Sequence, residues 1–301
     1  MSLTPRVVVV HRRSEYRELL ERHATHGQAE FFLRSRGRSI AELVARDERQ
    51  ELALRTAREV AGELRFAQLE RGDLDRFVFG PEDIIVAVGQ DGLVANVAKY
   101  LAGQPVIGVD PDPQRNAGVL VTFPPRPREL SDAIGRVIRG TASVHARAMA
   151  EVVLDDGQRL VALNDLYLGD AGHQSSRYTL TVPSGADERQ SSSGIIVGTG
   201  TGSTGWSASI AHDRGLQERL PDAEAEGLSW FVREAWPSRW TGTSLTSGTL
   251  TAGETLTVTV ESDRLVAFGD GIERDRIVLS WGQQARISLA PQQLRLVLDR
   301  S

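Results

Sequence analysis

Residues Ile84 to Leu93 read IIVAVGQDGL. Five apolar residues, mostly β-branched, run straight into a glycine, an amide, an acid and a second glycine. An unbroken apolar run of this kind is a strand buried on both faces, which points to a parallel sheet covered by helices. In open α/β sheets, ligands bind outside the carboxyl ends of such strands. Asp91 is expected at that end, in a turn where Gly89 and Gly92 leave room for close approach to the backbone. The same turn also reads as a helix start with Asp91 as N-cap, since VANVAKYL follows. The stretch by itself leaves both readings open.

The flanking sequence supports the parallel sheet. Val7 to Val10 reads as a short buried strand and Ser14 to His23 as a helix. Ser39-Ile40-Ala41-Glu42 has a capping-box pattern. It opens a long amphipathic segment with Ile40, Leu43, Val44, Leu54, Ala57, Val60, Ala61 and Leu64 at helical spacing. A helix near Val94 to Leu101 and a strand from Pro105 to Val109 follow the central stretch. Strands alternating with helices imply parallel pairing. Asp110 to Pro127 is a proline-rich loop off another strand end, and Ser131 to Arg139 a short helix.

From about Ala142 the pattern changes to short alternating or β-branched runs. They are Ala150–Leu154, Leu160–Leu163, Tyr178–Val182, Ile195–Val197, Thr255–Val260, Arg264–Phe268, Arg276–Leu279, Arg286–Leu289 and Leu294–Leu298. Turn signals such as Asp156-Gly157 and Asp270-Gly271 separate them, as in an all-β domain. Ala211 to Trp240 is expected to be helical, with Trp230, Trp236 and Trp240 in a local core.

Composition removes several classes of chemistry. The chain lacks cysteine, which excludes disulfides, thiolate metal sites and cysteine nucleophiles. Its net charge of −5 gives no ground for nucleic-acid or anionic-membrane binding. No apolar run approaches the roughly 20 residues of a membrane span, so a soluble, cytoplasmic protein is expected. Lys99 is the only lysine, and there is no G-x-x-x-x-G-K-[ST] string, which excludes a Walker-type site. The six histidines show no metal-ligand spacing, and no metal site built from protein ligands is expected.

A second glycine-rich stretch, Gly198 to Trp206, follows the apolar run Ile195–Val197. Alternating glycines offer backbone N–H groups to phosphate oxygens, and Thr201, Ser203 and Thr204 add hydroxyls. It also reads as a flexible Ser/Thr/Gly loop. Gly200, Gly202 and Gly205 form a formal dinucleotide fingerprint, but in a β-rich region rather than at the start of a βαβ unit, which disfavours a dehydrogenase. Asn164-Asp165 reads first as a turn, and otherwise as a pair able to hydrogen-bond a base or ribose. Asp270-Gly271 is first a hairpin turn.

These pieces, in this order, resemble the NAD kinase family. Gly89–Gly92 (GQDG) falls where the family has Gly-Gly-Asp-Gly-Thr, and Ala162–Asp165 (ALND) where it has Asn-Glu. Thr199–Trp206 (TGTGSTGW) matches Thr-Pro-Thr-Gly-Ser-Thr-Ala-Tyr, and Phe268–Gly271 (FGDG) a later Asp-Gly turn. The mitochondrial-type subgroup is most similar, with a comparable loop at PVIGVDPDPQRNAGVL, with Ser175-Ser176-Arg177, and with Ser192-Ser193-Gly194 ahead of Thr199–Ser203. The resemblance departs at Gln90 for glycine, Leu93 for threonine, Asp165 for glutamate, and Ser193 where many bacterial members have aspartate.

The resemblance implies an α/β plus all-β fold. A Rossmann-like α/β domain would span residues 1–140 and a β-rich, β-sandwich-like domain 141–289, with about 290–301 able to pack back on the first. It implies phosphoryl transfer from ATP or polyphosphate, with Mg²⁺ or another divalent cation carried on the nucleotide phosphates, to the adenosine 2′-hydroxyl of NAD. Asp91 would accept the hydroxyl proton. Gly89, Gln90, Gly92, Thr199, Gly200, Thr201, Gly202 and Ser203 would contact phosphates or nucleotide. Asn164, Asp165, Ser193, Thr204, Gly205, Trp206 and Ser209 would bind NAD, with Asp270 as a further candidate. A homodimer is expected on the same basis. Two other readings stand beside it: a kinase of this fold with another hydroxyl acceptor, suggested by Gln90, Leu93 and the loop at Pro111–Gly118, and a non-catalytic dinucleotide-binding protein.

Overall fold

The three apolar runs at Val7–Val10, Ile84–Val88 and Pro105–Val109 are neighbouring strands of one parallel sheet. The computed structural model describes residues 5–116 and 118–299. The chain divides into two units, Met1–His145 with Arg295–Ser301, and Ala146–Leu294.

The first unit runs β1 (Arg6–His11), α1 (Glu15–His23), α2 (His26–Arg34), α3 (Ala41–Ala61), β2 (Arg65–Glu70), β3 (Ile84–Val88), α4 (Asp91–Ala98), β4 (Pro105–Val109) and α5 (Pro127–Ile138). Its sheet has the order β2-β1-β3-β4, with every pairing parallel. On one face Val7, Val9, Val86 and Val109 pack with Leu54 and Ala57 of α3 and Leu130 and Ile134 of α5. On the other face Val8, Val10, Ile85 and Ala87 are fully buried, and α4 packs on β3 and β4. Burial on both faces is why β3 is apolar at every position. Each such Val or Ile contributes about 1.5–3 kcal/mol of burial. The chain's last strand returns here, placing Arg295 and Leu296 beside Pro105 and Val106.

Two elements of this unit escaped the hydrophobic pattern. β2 (RFAQLE) buries only Leu69, because it is the sheet's edge strand and most of its side chains face water. The nine-residue α2 starts at Thr25, whose hydroxyl accepts the Gln28 N–H, and packs Ala29 and Leu33 in a small cluster with Leu19, Ile40 and Leu43. The predicted capping box is replaced by a looser start. Ile40 occupies the N-cap of α3 without a side-chain bond, and the Ser39 hydroxyl accepts the Ala41 N–H.

The second unit is a sandwich of two largely antiparallel sheets. One contains β5 (Val144–Leu154), β6 (Arg159–Ala162), β8 (Ser176–Thr181), β9 (Asp187–Ser192), β13 (Leu256–Val260) and the Gln284–Leu294 part of β16 (Gln284–Val297). The other has the order β12-β11-β10-β7-β14-β15, from β7 (Asp165–Gly169), β10 (Ile195–Thr199), β11 (Leu228–Val232), β12 (Ser247–Leu250), β14 (Arg264–Gly269) and β15 (Ile272–Ser280). Tyr178, Leu180 and Val258 from the first meet Leu166, Leu168, Val197 and Trp230 from the second in one core. The helix α6 (Trp206–Arg214) covers the outer face of the second sheet, where Ile210 joins Tyr167, Ile196 and Val266.

The predicted helix from Ala211 to Trp240 is corrected. α6 stops at Arg214 because Gly215 takes a left-handed φ of 65° and turns its N–H back to Ala211 and His212. The chain then re-enters the sheet as β11. Trp230 is core, but Trp236 and Trp240 are each 69% exposed, against the expectation that they were core. The polar edge strands β9 (DERQSS) and β12 (SGTL) were invisible for the reason that hid β2.

Leu120 and Val121 press onto β4 at Gly108, where a Cβ would lie 2.1 Å from the Leu120 carbonyl oxygen. Gly108→Ala is expected to lower stability by about 1–3 kcal/mol through overpacking. A fall in the denaturant midpoint at constant m-value would show it, and an unchanged midpoint would refute the close packing.

Candidate functional site

In the first unit the turn after β3 is built around Asp91. Gly89 ends the strand, with its N–H bonded to the Val109 carbonyl at 3.0 Å. Gln90 is exposed at the N-cap of α4 and makes no side-chain cap bond. Asp91 is therefore the first residue of the helix, not its cap. Its carboxylate instead holds the neighbouring loop. Oδ2 accepts the Val119 N–H at 2.8 Å, and Oδ1 accepts those of Leu120 at 2.9 Å and Val121 at 3.1 Å. Leu120 and Val121 are buried, so their N–H groups need this acceptor. Gly92 is exposed beside it. Leu93 is 2% exposed and packs beneath the turn, its Cδ2 3.1 Å from where a Gly89 Cβ would stand. Leu93 is thus a core residue supporting the turn.

In the second unit the structure brings Asn164, Asp270, Thr199 and Gly202 together. Asp270 and Gly271 form the β14–β15 turn with φ of 55° and 68°, the left-handed pair that a tight hairpin needs. The Asp270 carboxylate accepts the N–H groups of Leu163 at 3.1 Å and Asn164 at 2.7 Å. The Asn164 carbonyl accepts the Thr199 N–H at 2.9 Å, and the Thr199 hydroxyl donates to the Leu163 carbonyl. Gly202 sits so close to Asn164 that a Cβ would lie 2.0 Å from its carbonyl oxygen. Asp165 follows as the first residue of β7 and is half-buried.

The hydroxyls of the Thr/Gly/Ser loop have separate fates. Thr199 is fully buried and also accepts the Gly202 N–H at 3.2 Å. Ser203 donates to the carbonyls of Thr199 at 3.2 Å and Pro221 at 2.8 Å. These two hydroxyls shape the loop itself. The Thr201 hydroxyl is buried without a hydrogen-bond partner among the described residues. Gly200 leads into the short 3₁₀ turn Thr201–Thr204, while Thr204, Gly205 and Ser209 are exposed.

Trp206 opens α6 and stacks on Tyr167, with centroids 6.0 Å apart and planes at 9°. The Arg233 guanidinium lies 5.1 Å from the Trp206 ring centre, and Phe268 packs on the other partner, Tyr167, at 4.9 Å. The Tyr167 hydroxyl donates to the carbonyls of Asp170 at 2.8 Å and Ser193 at 3.3 Å. Burial pushes the Tyr167 phenol above its usual value, which keeps it a neutral donor. Ser193 and Trp206 are thus joined through a tyrosine that the sequence did not single out. Tyr167, Phe268 and Arg233 carry no motif. Period-2 alternation along LYLG, opposite Ile196, is the signal that could have placed Tyr167 on the outer face.

A parallel α/β unit with an acid-bearing turn at a strand end, and a β-sandwich unit with a Thr/Gly/Ser loop, define a two-unit α/β-plus-β protein. No family model matches the chain. It is 30% identical over 142 residues to a NAD kinase of Chlorobaculum tepidum, covering 46% of this chain and 47% of that protein. It is 27% identical over 242 residues to the mitochondrial NAD kinase 2 of Rattus norvegicus, covering 65% and 51%. With the mitochondrial NAD kinase 2 of Homo sapiens it shares 26% identity over 257 residues, covering 68% and 58%. The chain spans about half the length of the first curated relatives it matches. These similarities to NAD kinases run over 46% to 68% of the chain. Among the described residues no helix is long and apolar enough to cross a membrane.

Two substitutions test the geometry. Asp91→Asn is expected to cost about 1–3 kcal/mol, because an amide NH₂ would face one of the loop N–H groups. Amide exchange at Val119–Val121 should quicken while β3 stays protected, and unchanged protection there would remove Asp91 as the loop's anchor. Gly202→Ala is expected to displace the loop from Asn164 and cost about 1–3 kcal/mol. A variant with wild-type melting behaviour would rule out that close approach.

Proposed function

We propose that the chain is a NAD kinase, transferring the terminal phosphoryl group of ATP or polyphosphate to the adenosine 2′-hydroxyl of NAD. The observation that carries this reading is Asp91, a carboxylate at the end of the central parallel strand, held in place by three backbone N–H groups in a chain similar to NAD kinases. In the transfer, the acceptor oxygen bonds to the terminal phosphorus as the bond from phosphorus to the bridging oxygen breaks. The hydroxyl proton passes to Asp91, and the shortened donor leaves. Oδ2 has one N–H partner where Oδ1 has two, so Oδ2 is the oxygen with room for that proton.

The second unit would supply recognition of NAD. The Asn164-Asp165 edge offers an amide and a carboxylate to ribose or base. The exposed Ser193, Thr204, Gly205, Trp206 and Ser209 provide further contacts. Trp206, backed by Tyr167 and crossed by Arg233, presents a flat cationic shelf suited to a heteroaromatic ring. Gly89, Gln90, Gly92 and the Thr199–Ser203 loop would approach phosphates, with Thr201 the hydroxyl lacking a partner. Among the described residues no cluster of three His, Cys, Asp or Glu side chains forms a metal cage. In this reading a divalent cation arrives on the donor's phosphates, where it would supply charge neutralisation. Pairing of two copies belongs to the same reading.

Purified protein given NAD, Mg²⁺ and either ATP or polyphosphate is expected to form NADP, measured by an NADP-specific coupled assay. Asp91→Asn, assayed where it remains folded, should lose about 10²–10⁴-fold in turnover. Turnover near wild type in that variant would remove Asp91 from the chemistry. Turnover that requires a different hydroxyl compound and ignores NAD would move the assignment to another acceptor, and tight NAD binding without turnover would make the chain a binding protein.

A further inference from the structure

A cavity of about 220 Å³ opens in the first unit beside Gly89 and Gln90. Four arginines line it: Arg12 after β1, Arg46 and Arg49 on α3, and Arg115 in the 111–118 loop. In a chain with a net charge of −5, this concentration of positive charge requires an account. The acids at its rim do not neutralise it. Glu15 pairs with Arg38, and Asp112 pairs with Arg49 at 2.9 Å. Arg12, Arg46 and Arg115 form no ion pair among the described residues. The Arg49 Nη2 atom is buried with no hydrogen-bond partner among them.

Four guanidinium groups set against two acids, one of them paired outside the cavity with Arg38, repel one another, and the repulsion is relieved by a polyanion. Arginine also suits phosphate better than lysine, since its planar fork can take two oxygens at once. The cavity reaches the start of α4, whose first N–H groups receive no side-chain cap from Gln90. The side-chain cations therefore lie beside Gly89 and Gln90, the two residues that lead into Asp91.

We propose that this cavity seats the linked phosphates of the phosphoryl donor, with Arg12, Arg46, Arg49 and Arg115 supplying the charge. The assignment rests on the kinase reading and deepens it. It explains how a chain with one lysine can hold a polyphosphate. Gln90, exposed at the rim, offers an amide donor to the chain of phosphates.

The test is titration of the intact protein with inorganic tripolyphosphate by calorimetry. It compares wild type with the double variants Arg46→Ala/Arg115→Ala and Arg46→Lys/Arg115→Lys. Both arginines are exposed, so the fold is expected to survive, and thermal melting checks it. Loss of two charge-assisted contacts should weaken binding at least about tenfold in the alanine variant, with the lysine variant recovering only the part due to charge. Equal binding in the alanine variant, or none in the wild type, overturns the proposal. ATP displacing tripolyphosphate assigns the cavity to a nucleoside donor. Displacement by longer inorganic polyphosphate but not by ATP assigns it to an inorganic donor, and displacement by neither overturns the donor role. If NADP is formed, the alanine variant should raise the donor KM at least about tenfold with the KM for NAD unchanged. An unchanged donor KM sinks the cavity assignment and leaves the kinase reading intact. Arginine-dependent tripolyphosphate binding in a protein that forms no NADP does the opposite.

Discussion

One carboxylate holds the first unit's central turn and its neighbouring loop together. Asp91 starts α4 at the end of the central strand, and its two oxygens take the N–H groups of three successive residues, Val119 to Val121. Without it, a buried loop would carry orphaned amides. The close seat of Leu120 against Gly108 and the Phe123 N–H bond to the Gly108 carbonyl at 3.0 Å complete the anchor. Arg115 is placed separately, by its N–H bond to the Asp112 carbonyl at 3.0 Å beside Asn116, whose amide donates to the Asp110 carboxylate at 2.7 Å. A residue offered for proton transfer is thus also a structural clamp, and both roles need a carboxylate in one orientation.

The second unit uses an acid in a parallel way. Asp270 occupies a left-handed turn position and takes the N–H groups of Leu163 and Asn164. That fixes the strand junction against which Gly202 and Thr199 pack. The Thr/Gly/Ser loop owes much of its composition to this junction. Gly202 is glycine because a carbonyl lies where its Cβ would be, and the Thr199 and Ser203 hydroxyls are spent on neighbouring carbonyls. The Thr201 hydroxyl differs, being buried with no hydrogen-bond partner among the described residues.

The readable parts of the chain were those where one residue's environment repeats along an element. β3, β1 and β4 are buried on both faces and read as apolar runs. β10, β13 and β14 alternate or run apolar within a two-sheet core. Edge strands β2, β9 and β12 were lost because water, not a neighbouring strand, meets one side of each. The extended helix predicted through Trp240 failed for a different reason. Helical spacing was read across Gly215, where a left-handed residue ends the helix, and into SWFV, whose aromatic and branched side chains pair with β10 and β12.

By itself, the sequence determined the two-part architecture and the order of the short motifs, because hydrophobic period and glycine-acid turns are local properties. Only the tertiary structure decided what the motif residues touch. It made Asp91 an anchor for a loop some thirty residues away rather than a helix cap, and it put Leu93 in the core. It also stacked Tyr167 under Trp206 and gathered Arg12, Arg46, Arg49 and Arg115 around one cavity. Those relations join segments far apart in the chain, and no periodicity or spacing records which distant backbone amide or guanidinium will meet a given side chain.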